Sequence, residues 1–257
     1  MKGNKICFFF TNPNSNLMRK LHSFVVMLTL TLIASFCLTQ QAVAQNLNYV
    51  ERLVKTGKIS NNAISKSSQL IVVLQSKNNY RKANLHTYEK TNGKWNRVMT
   101  VYDVNLGKNG MARNNSKKEG DGKTPEGLFG ISSAFGKKND VGAKLPFYEL
   151  SGNQYVWVSD ETSKLYNTIV NDKKGEFRNS KNEILNDYAE DLYKYAIVVD
   201  YNMNPAVKGK GSAIFIHVQR GKDKPTAGCV SLSQMKMVEL LKWLNPSKKP
   251  CIYMGKL

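Results

Sequence analysis

Cysteine and histidine are scarce: four cysteines and three histidines in 257 residues, none at the short spacings that zinc sites use. A metal centre is therefore not expected, and no cofactor is called for. Long apolar runs are missing too. The uncharged stretch Phe24 to Leu38 has fifteen residues, short of the roughly 20 that a membrane-spanning helix needs. Acidic residues number 19 against 38 basic ones, a net charge of +19. Such an excess points to an anionic partner or surface, with nucleic acid, acidic lipid and envelope polymer all open at this level. The chain shows no internal repeat and no long linker. With 41% hydrophobic and 22% charged residues it has the composition of an ordinary folded protein, which excludes disorder throughout.

The N-terminus narrows the choice of partner. Arg19 and Lys20 precede the apolar stretch, and Ala42-Val43-Ala44 follows it, with small residues where signal peptidase accepts them. Residues 1–44 thus read as an export signal cut after Ala44, and Met18 is a second candidate start. Phe36 is bulky where lipoprotein processing needs a small residue, which argues against acylation of Cys37. Removing residues 1–44 takes away four basic residues and no acidic one, leaving 34 against 19 and a charge of +15. An exported basic protein meets envelope polymers and lipid head groups rather than nucleic acid. No stable transmembrane anchor is expected after cleavage, and the place of action is the periplasm or cell envelope. Cys7, Cys37 and His22 leave with the signal, so the exported chain retains Cys229, Cys251, His86 and His217. In an oxidising compartment a Cys229–Cys251 disulfide is open.

Residues 45–68 form a polar lead-in with a short helix, and residues 69–257 form one domain. From Gln69 the pattern turns to β-structure. Leu70 to Leu74 is an apolar strand, and Ala83 to Tyr88 and Trp95 to Asp103 flank Asn92-Gly93, the dipeptide suited to a two-residue hairpin. Glycines at 107, 110, 120 and 122 punctuate a loop that leads into a strand at Leu128 to Ile131. The polar middle, roughly Phe135 to Leu192, reads as an insertion on one side of the sheet. It holds a strand at Gln154 to Val158 and a helix opened by a Ser180/Glu183 capping box and running through Leu192. Strands at Tyr195 to Asp200 and Ala213 to Val218 follow. A helix from about Ser233 to Leu244 carries Met237, Val238, Leu241 and Leu244 at helical spacing, and Cys251 to Met254 closes the chain. The fold class is mainly β with a few helices, an α+β domain with a helical insertion.

A covalent mechanism needs a nucleophile, a base within reach and donors for an oxyanion. His217 ends the most apolar strand of the exported chain, and Cys229 follows after a polar loop. Gly228 lets the backbone turn sharply and aim the amides of Gly228 and Cys229 at one point. A helix starting near Ser233 would favour the thiolate if its N-terminus lies close. His86, in the Asn-Gly hairpin, falls where alternation leaves one face exposed and is not assigned a catalytic role.

Four ordered motifs, KTPEGLFGI at 123–131, VVDYN at 198–202, GSAIFIHV at 211–218 and PTAGCVSL at 225–232, together resemble the L,D-transpeptidase catalytic domain, the YkuD-like family of envelope enzymes. LGKNGM at 106–111 and the hairpin add to the resemblance, which covers about Gln69 to Met254. The resemblance implies a β-rich fold around a Cys–His site and peptidoglycan stem peptides as substrate. Cys229 would attack the carbonyl of an L,D peptide bond, usually between a diamino acid and D-alanine, with His217 as base. An amine acceptor then gives a cross-link between diamino residues. Water as acceptor makes the enzyme a hydrolase, either an L,D-carboxypeptidase or an amidase releasing wall-attached protein. A wall-binding protein without catalysis is a further alternative. The family orients its histidine partly through a backbone carbonyl. Its commonest signature has a histidine before the Gly-Cys pair and an arginine two residues after it, where this chain has Ala227 and Ser231. Arg220 is the nearest replacement for that arginine. Tyr201, Asn202 and Thr226 are further candidates for substrate contact, and Ser231 is expected to cap the following helix with Gln234 three residues on. The basic surface would draw the protein to anionic envelope polymers.

Overall fold

The computed structural model describes residues 20, 22–29, 33, 49–113 and 115–256, and they fall in two units, Met1–Leu47 and Asn48–Leu257. In the first unit residues 22–29 are helical, and among the described residues no helix is long and apolar enough to cross a membrane. The expected cleavage after Ala44, the start at Met18 and Cys37 lie outside the described residues.

The second unit is built around a strand, Gln69–Gln75 (β1), whose first six residues are buried. Both faces are covered, which is why it reads as an unbroken apolar run rather than an alternating one. Ile71 and Val73 enter the largest core cluster, while Leu70, Val72 and Leu74 enter a second one under the helix Tyr49–Lys55 (α1). β1 pairs antiparallel with Lys82–Thr91 (β2), which turns directly into Lys94–Asn105 (β3). Asn92 and Gly93 hold positive φ values of 50° and 76°, so the hairpin has the turn its sequence predicts.

The remaining strands are Gly127–Gly130 (β4), Ala134–Gly136 (β5), Phe147–Glu149 (β6), Tyr155–Val158 (β7), Thr168–Asn171 (β8), Glu183–Ile184 (β9), Tyr195–Val198 (β10), Phe215–Val218 (β11), Val230–Leu232 (β12) and Cys251–Gly255 (β13). Of the thirteen strands, ten form one sheet in the order β4-β13-β1-β2-β3-β12-β11-β10-β5-β6, and β8-β7-β9 form a second, smaller sheet. The closing strand β13 runs parallel to β1, and β11 runs parallel to β12. The helix Gln234–Trp243 (α2) follows β12. Its Met237, Leu240 and Leu241, with Leu244 just beyond, repeat at helical spacing and join Ile216, Val230 and Leu232 in the largest core cluster. The fold is mainly β, as the sequence indicates.

The middle segment departs from its expected helix. Residues 180–192 form β9, a 3-10 turn at Leu185–Tyr188 and a further turn in place of an α-helix. Two asparagines explain the difference. Asn182 Oδ1 accepts from the amides of Ser159 and Asp160, both at 2.9 Å, while its Nδ2 donates to the Phe177 carbonyl. Asn186 Oδ1 accepts from the Tyr155 amide, and its Nδ2 donates to the carbonyls of Leu150 and Asn153. Side chains that tie neighbouring loops by their backbone groups compete with helix formation. Glu183 takes no part in a capping box and accepts instead from the Tyr193 hydroxyl.

Asn167, 1% exposed, braces the insertion against the main sheet. Its Oδ1 accepts from Trp157 Nε1 (2.9 Å) and the Ala213 amide (3.1 Å), and its Nδ2 donates to the carbonyls of Tyr201 and Asn202. Asn167→Ala leaves these buried groups unpaired and should lower stability by about 3 kcal/mol in urea unfolding. A loss within the scatter of surface substitutions would mean that the brace carries no load.

Candidate active site

His217 and Cys229 are brought together by the parallel pairing of β11 and β12, in which Ile216 faces Val230 and His217 faces Ser231. Alternation puts Ile216 and Val230 in the core beneath α2, while Phe215 and Cys229 belong to a third cluster on the opposite face, with Phe135, Trp157 and Tyr193. His217 and Cys229 line one cleft of about 330 Å³.

The thiol is held by the backbone at the start of β11. Cys229 Sγ accepts from the Phe215 amide and donates to the Ala213 carbonyl, both at 3.4 Å. Ala213 has a φ of 53°, a conformation that a residue with a Cβ enters at some cost. Burial, first of all, pushes the Cys229 thiol up to about 12, and the nearby Glu183 carboxylate adds to this. Burial likewise brings His217 down to about 4. At neutral pH the pair is therefore thiol and neutral imidazole rather than thiolate and imidazolium. His217 Nδ1 lies 2.8 Å from the Val218 carbonyl. A carbonyl only accepts, so Nδ1 carries the proton and Nε2 keeps its lone pair. Tyr193 stands edge-on to the imidazole with ring centroids 5.7 Å apart.

The turn before Cys229 depends on Thr226 and Gly228. Thr226 Oγ1 donates to the Cys229 carbonyl (2.6 Å) and accepts from the Gly228 amide (3.1 Å). Gly228 has a φ of 152°, and a Cβ there would sit 3.0 Å from the Lys123 carbonyl oxygen, so glycine alone fits. Thr226 thus buttresses the turn. The Gly228 amide, expected as an oxyanion donor, is engaged by that hydroxyl, whereas among the described residues no side chain holds the Cys229 amide.

Arg220 lies where the sequence suggests, exposed on the cleft rim and stacked 5.8 Å over the Tyr188 ring. Its loop is anchored by Lys82, which bonds Asn105 Oδ1 at 2.8 Å and pairs with Asp223 at 3.0 Å, and by Asn105 Nδ2 donating to the Gly221 carbonyl. Tyr201 and Asn202 do not line the cleft. The Tyr201 hydroxyl donates to the Lys210 carbonyl, and the Asn202 side chain ties Val207 and Gly211 into a loop. Ser231 does not cap α2: it sits within β12, accepts from Asn105 Nδ2 at 3.4 Å and lines the cleft, and the N-cap of α2 is Ser233. Nor does α2 support the thiol, because it covers the opposite face of the sheet. Cys229 and Cys251 are separate free thiols. They stand four strand spacings apart in the sheet order, roughly 19 Å along it, which rules out the disulfide. His86 is 4% exposed on β2 and shares no wall of this cleft.

Sequence spacing missed Lys117, Glu119 and Glu183. Lys117 pairs with Asp121 at 2.7 Å, Glu119 accepts from Tyr166 and Ser212, and all three line the cleft. They come from a loop before β4 and from β9, distant in sequence from His217 and Cys229. Glu183 had only a capping signal to mark it.

Two measurements follow from the ionisation states. A thiol pushed up to about 12 should resist iodoacetamide near neutral pH and label only in strong alkali. Rapid labelling of Cys229 at neutral pH would contradict a protonated thiol. The two buried histidines, His86 and His217, titrate near 4 in the fold against 6.5 in the unfolded chain. As the pH falls below about 6.5 the unfolded chain takes up protons first, so stability present above 6.5 is lost down to about 4. The urea midpoint should drop over that range, and His217→Gln should flatten the drop.

The YkuD family model, described as the L,D-transpeptidase catalytic domain, matches residues 70–252. No curated protein matches the chain. Among solved structures, Bd1075 of Bdellovibrio bacteriovorus aligns with 13% identity over 73% of this chain and 47% of its own, at a TM-score of 0.38. The helical cell shape determining protein Pgp2 of Campylobacter jejuni aligns with 17% identity over 74% of this chain and 48% of its own, at a TM-score of 0.37. The chain thus spans about half the length of these proteins. With the family model covering most of the chain, and covering both strands that carry the cleft, the protein belongs to the YkuD family of L,D-transpeptidase catalytic domains.

Proposed function

We propose that the protein is an exported, cysteine-dependent L,D-transpeptidase that works in the periplasm or cell envelope on peptidoglycan stem peptides. The observation that carries this reading is the shared cleft of Cys229 and His217, with the His217 lone pair freed at Nε2 by the Nδ1–H bond to Val218. A donor stem entering the cleft brings an L,D peptide carbonyl to Cys229. The thiol proton passes to His217 Nε2 as sulfur bonds the carbonyl carbon, and the oxyanion is met by the Cys229 amide. The Gly228 amide joins it only if Thr226 releases it. Collapse breaks the C–N bond, and D-alanine leaves with the proton from His217. A thioester remains. The amine of a second stem then attacks it, loses its proton to His217 and regenerates the thiol, leaving a cross-link between diamino residues.

A neutral resting pair suits this sequence. The thiol stays protonated until a carbonyl arrives, and proton transfer and attack proceed together. Arg220 stands at the rim with Lys224 and offers its guanidinium to a stem carboxylate, in place of the arginine replaced by Ser231. The charge of +15 on the exported chain draws it toward carboxylate-rich wall and anionic envelope polymers, an attraction that salt weakens.

Incubation of the protein with disaccharide-tetrapeptide, followed by mass analysis of protein and products, tests the reading. An adduct on Cys229 and dimeric products are expected. Cys229→Ser should abolish both while leaving the fold intact, and His217→Ala should reduce acylation by about a thousandfold or more. An adduct with only shortened monomers would make the enzyme a hydrolase on the same cleft. Full activity in Cys229→Ser would sink the mechanism.

A further inference from the structure

A transfer from stem to stem takes two substrates, and the cleft of Cys229 is one of two adjoining hollows. The second, of about 590 Å³, lies along β9 and the 3-10 turn that follows it, and it shares Ser159, Glu183 and Tyr188 with the first. Glu183 therefore stands on the wall common to both. One residue connects it to the reactive pair: its Oε1 accepts from the Tyr193 hydroxyl, and the Tyr193 ring stands edge-on to His217 at 5.7 Å. The field of its carboxylate also reaches the Cys229 thiol.

With twice as many basic as acidic residues in the chain, a carboxylate without a cation beside it is an exception. Among the described residues no lysine or arginine lies within ion-pair distance of Glu183, nor of Glu119, the other carboxylate lining the cleft. Arg220 acts on Glu183 only from beyond that distance. Burial pushes the Glu183 carboxyl up, and the charge of Glu119 adds to the rise. The side chain is nonetheless only partly buried, and with Oε1 taken by Tyr193 its Oε2 is left as an acceptor on the shared wall. A cation entering here gives the carboxylate the partner it lacks and offsets its repulsion from Glu119. The second substrate brings one, because an alkyl amine is an ammonium near neutral pH. Arg178, exposed in the lining of the second hollow, suits the carboxylate that the same stem carries.

We propose that Glu183 selects and seats the acceptor: it receives the ammonium of the second stem, which enters from the hollow along β9 while the donor occupies the Cys229 cleft. The proposal rests on the transpeptidase reading and adds to it the side from which the amine comes. The ammonium passes one proton to the Glu183 carboxylate, and the neutral amine attacks the thioester carbon, forming the C–N bond. Its second proton goes to His217 Nε2. The C–S bond then breaks, and sulfur takes that proton from His217, which restores the thiol and the neutral imidazole. Glu183 returns its proton to solvent as the product leaves, so one ammonium and one thioester give one amide, one thiol and one proton.

Two measurements on the full chain test this, both with disaccharide-tripeptide as acceptor, since a stem ending at the diamino acid has the amine but no D-alanine to lose. In Cys229→Ser, where no chemistry follows, titration compares this acceptor with its N-acetylated form. Acetylation should weaken binding about tenfold, and adding Glu183→Gln should weaken the free amine equally and remove the difference. Glutamine still accepts from Tyr193, so the fold is kept. In the active protein, with disaccharide-tetrapeptide as donor, Glu183→Gln should lower the ratio of dimers to shortened monomers about tenfold while the Cys229 adduct still forms. Equal binding of the two acceptor forms would overturn the proposal. So would an unchanged product ratio in Glu183→Gln, and slower acylation at an unchanged ratio would assign Glu183 to the donor instead. Absence of any adduct would overturn the catalytic reading alone, and the binding comparison would still decide for or against Glu183.

Discussion

The register between β11 and β12 is the constraint on which the rest of the site depends. With His217 opposite Ser231, the thiol reaches the amide of Phe215 and the carbonyl of Ala213. A slip of one residue in either strand would turn its side chains to the other face, placing Cys229 under α2 and Val230 in the cleft. Much of the surrounding structure guards that register. Thr124 and Thr226 both donate to the Cys229 carbonyl. Asn105 grips the intervening loop and Ser231 together, and Asn167 fixes the backbone leading into β11. The apolar face beneath α2 supplies the burial that makes any other pairing costly.

Burial sets the chemistry as firmly as pairing sets the geometry. His217 is 5% exposed and Cys229 8%, and desolvation disfavours the charged form of each. The backbone then decides the tautomer, because the Val218 carbonyl accepts from Nδ1. Charge enters the cleft from its walls, through Lys117, Glu119, Glu183 and Arg220. Those walls come from the loop before β4, from the insertion and from the loop after β11, while His217 lies on β11 and Cys229 just before β12. His217 is thus held by the paired backbone of β11 and Cys229 by the turn that leads into β12, while the walls of the cleft come from other segments.

Local chemistry was legible where local chemistry decides. Asn92-Gly93 makes its hairpin, the apolar spacing of Met237, Leu241 and Leu244 makes its helix, and the doubly buried β1 shows as an apolar run. The Cys229, His217 and Gly228 constellation could be read because its members lie within one strand-loop-strand segment. Residues 180–192 carried helix signals that were overruled by Asn182 and Asn186, whose partners lie on β7 and in neighbouring loops and leave no trace in a local window. Tyr201 and Asn202 sit in a motif beside the site, yet their side chains bind their own loop. Glu119 and Lys117 could not be found from spacing, because only the closed fold brings that loop over the cleft.

In the proposed mechanism the resting pair is uncharged, with the proton of His217 on Nδ1 and that of Cys229 on sulfur, and a donor peptide triggers the transfer. The direct measurement is the nitrogen NMR spectrum of the histidine-labelled free protein across the neutral range. A neutral His217 with protonated Nδ1 that titrates only near 4 is the result predicted. An imidazolium at neutral pH, matched by a thiolate at Cys229, would contradict it and would make the site a preformed ion pair.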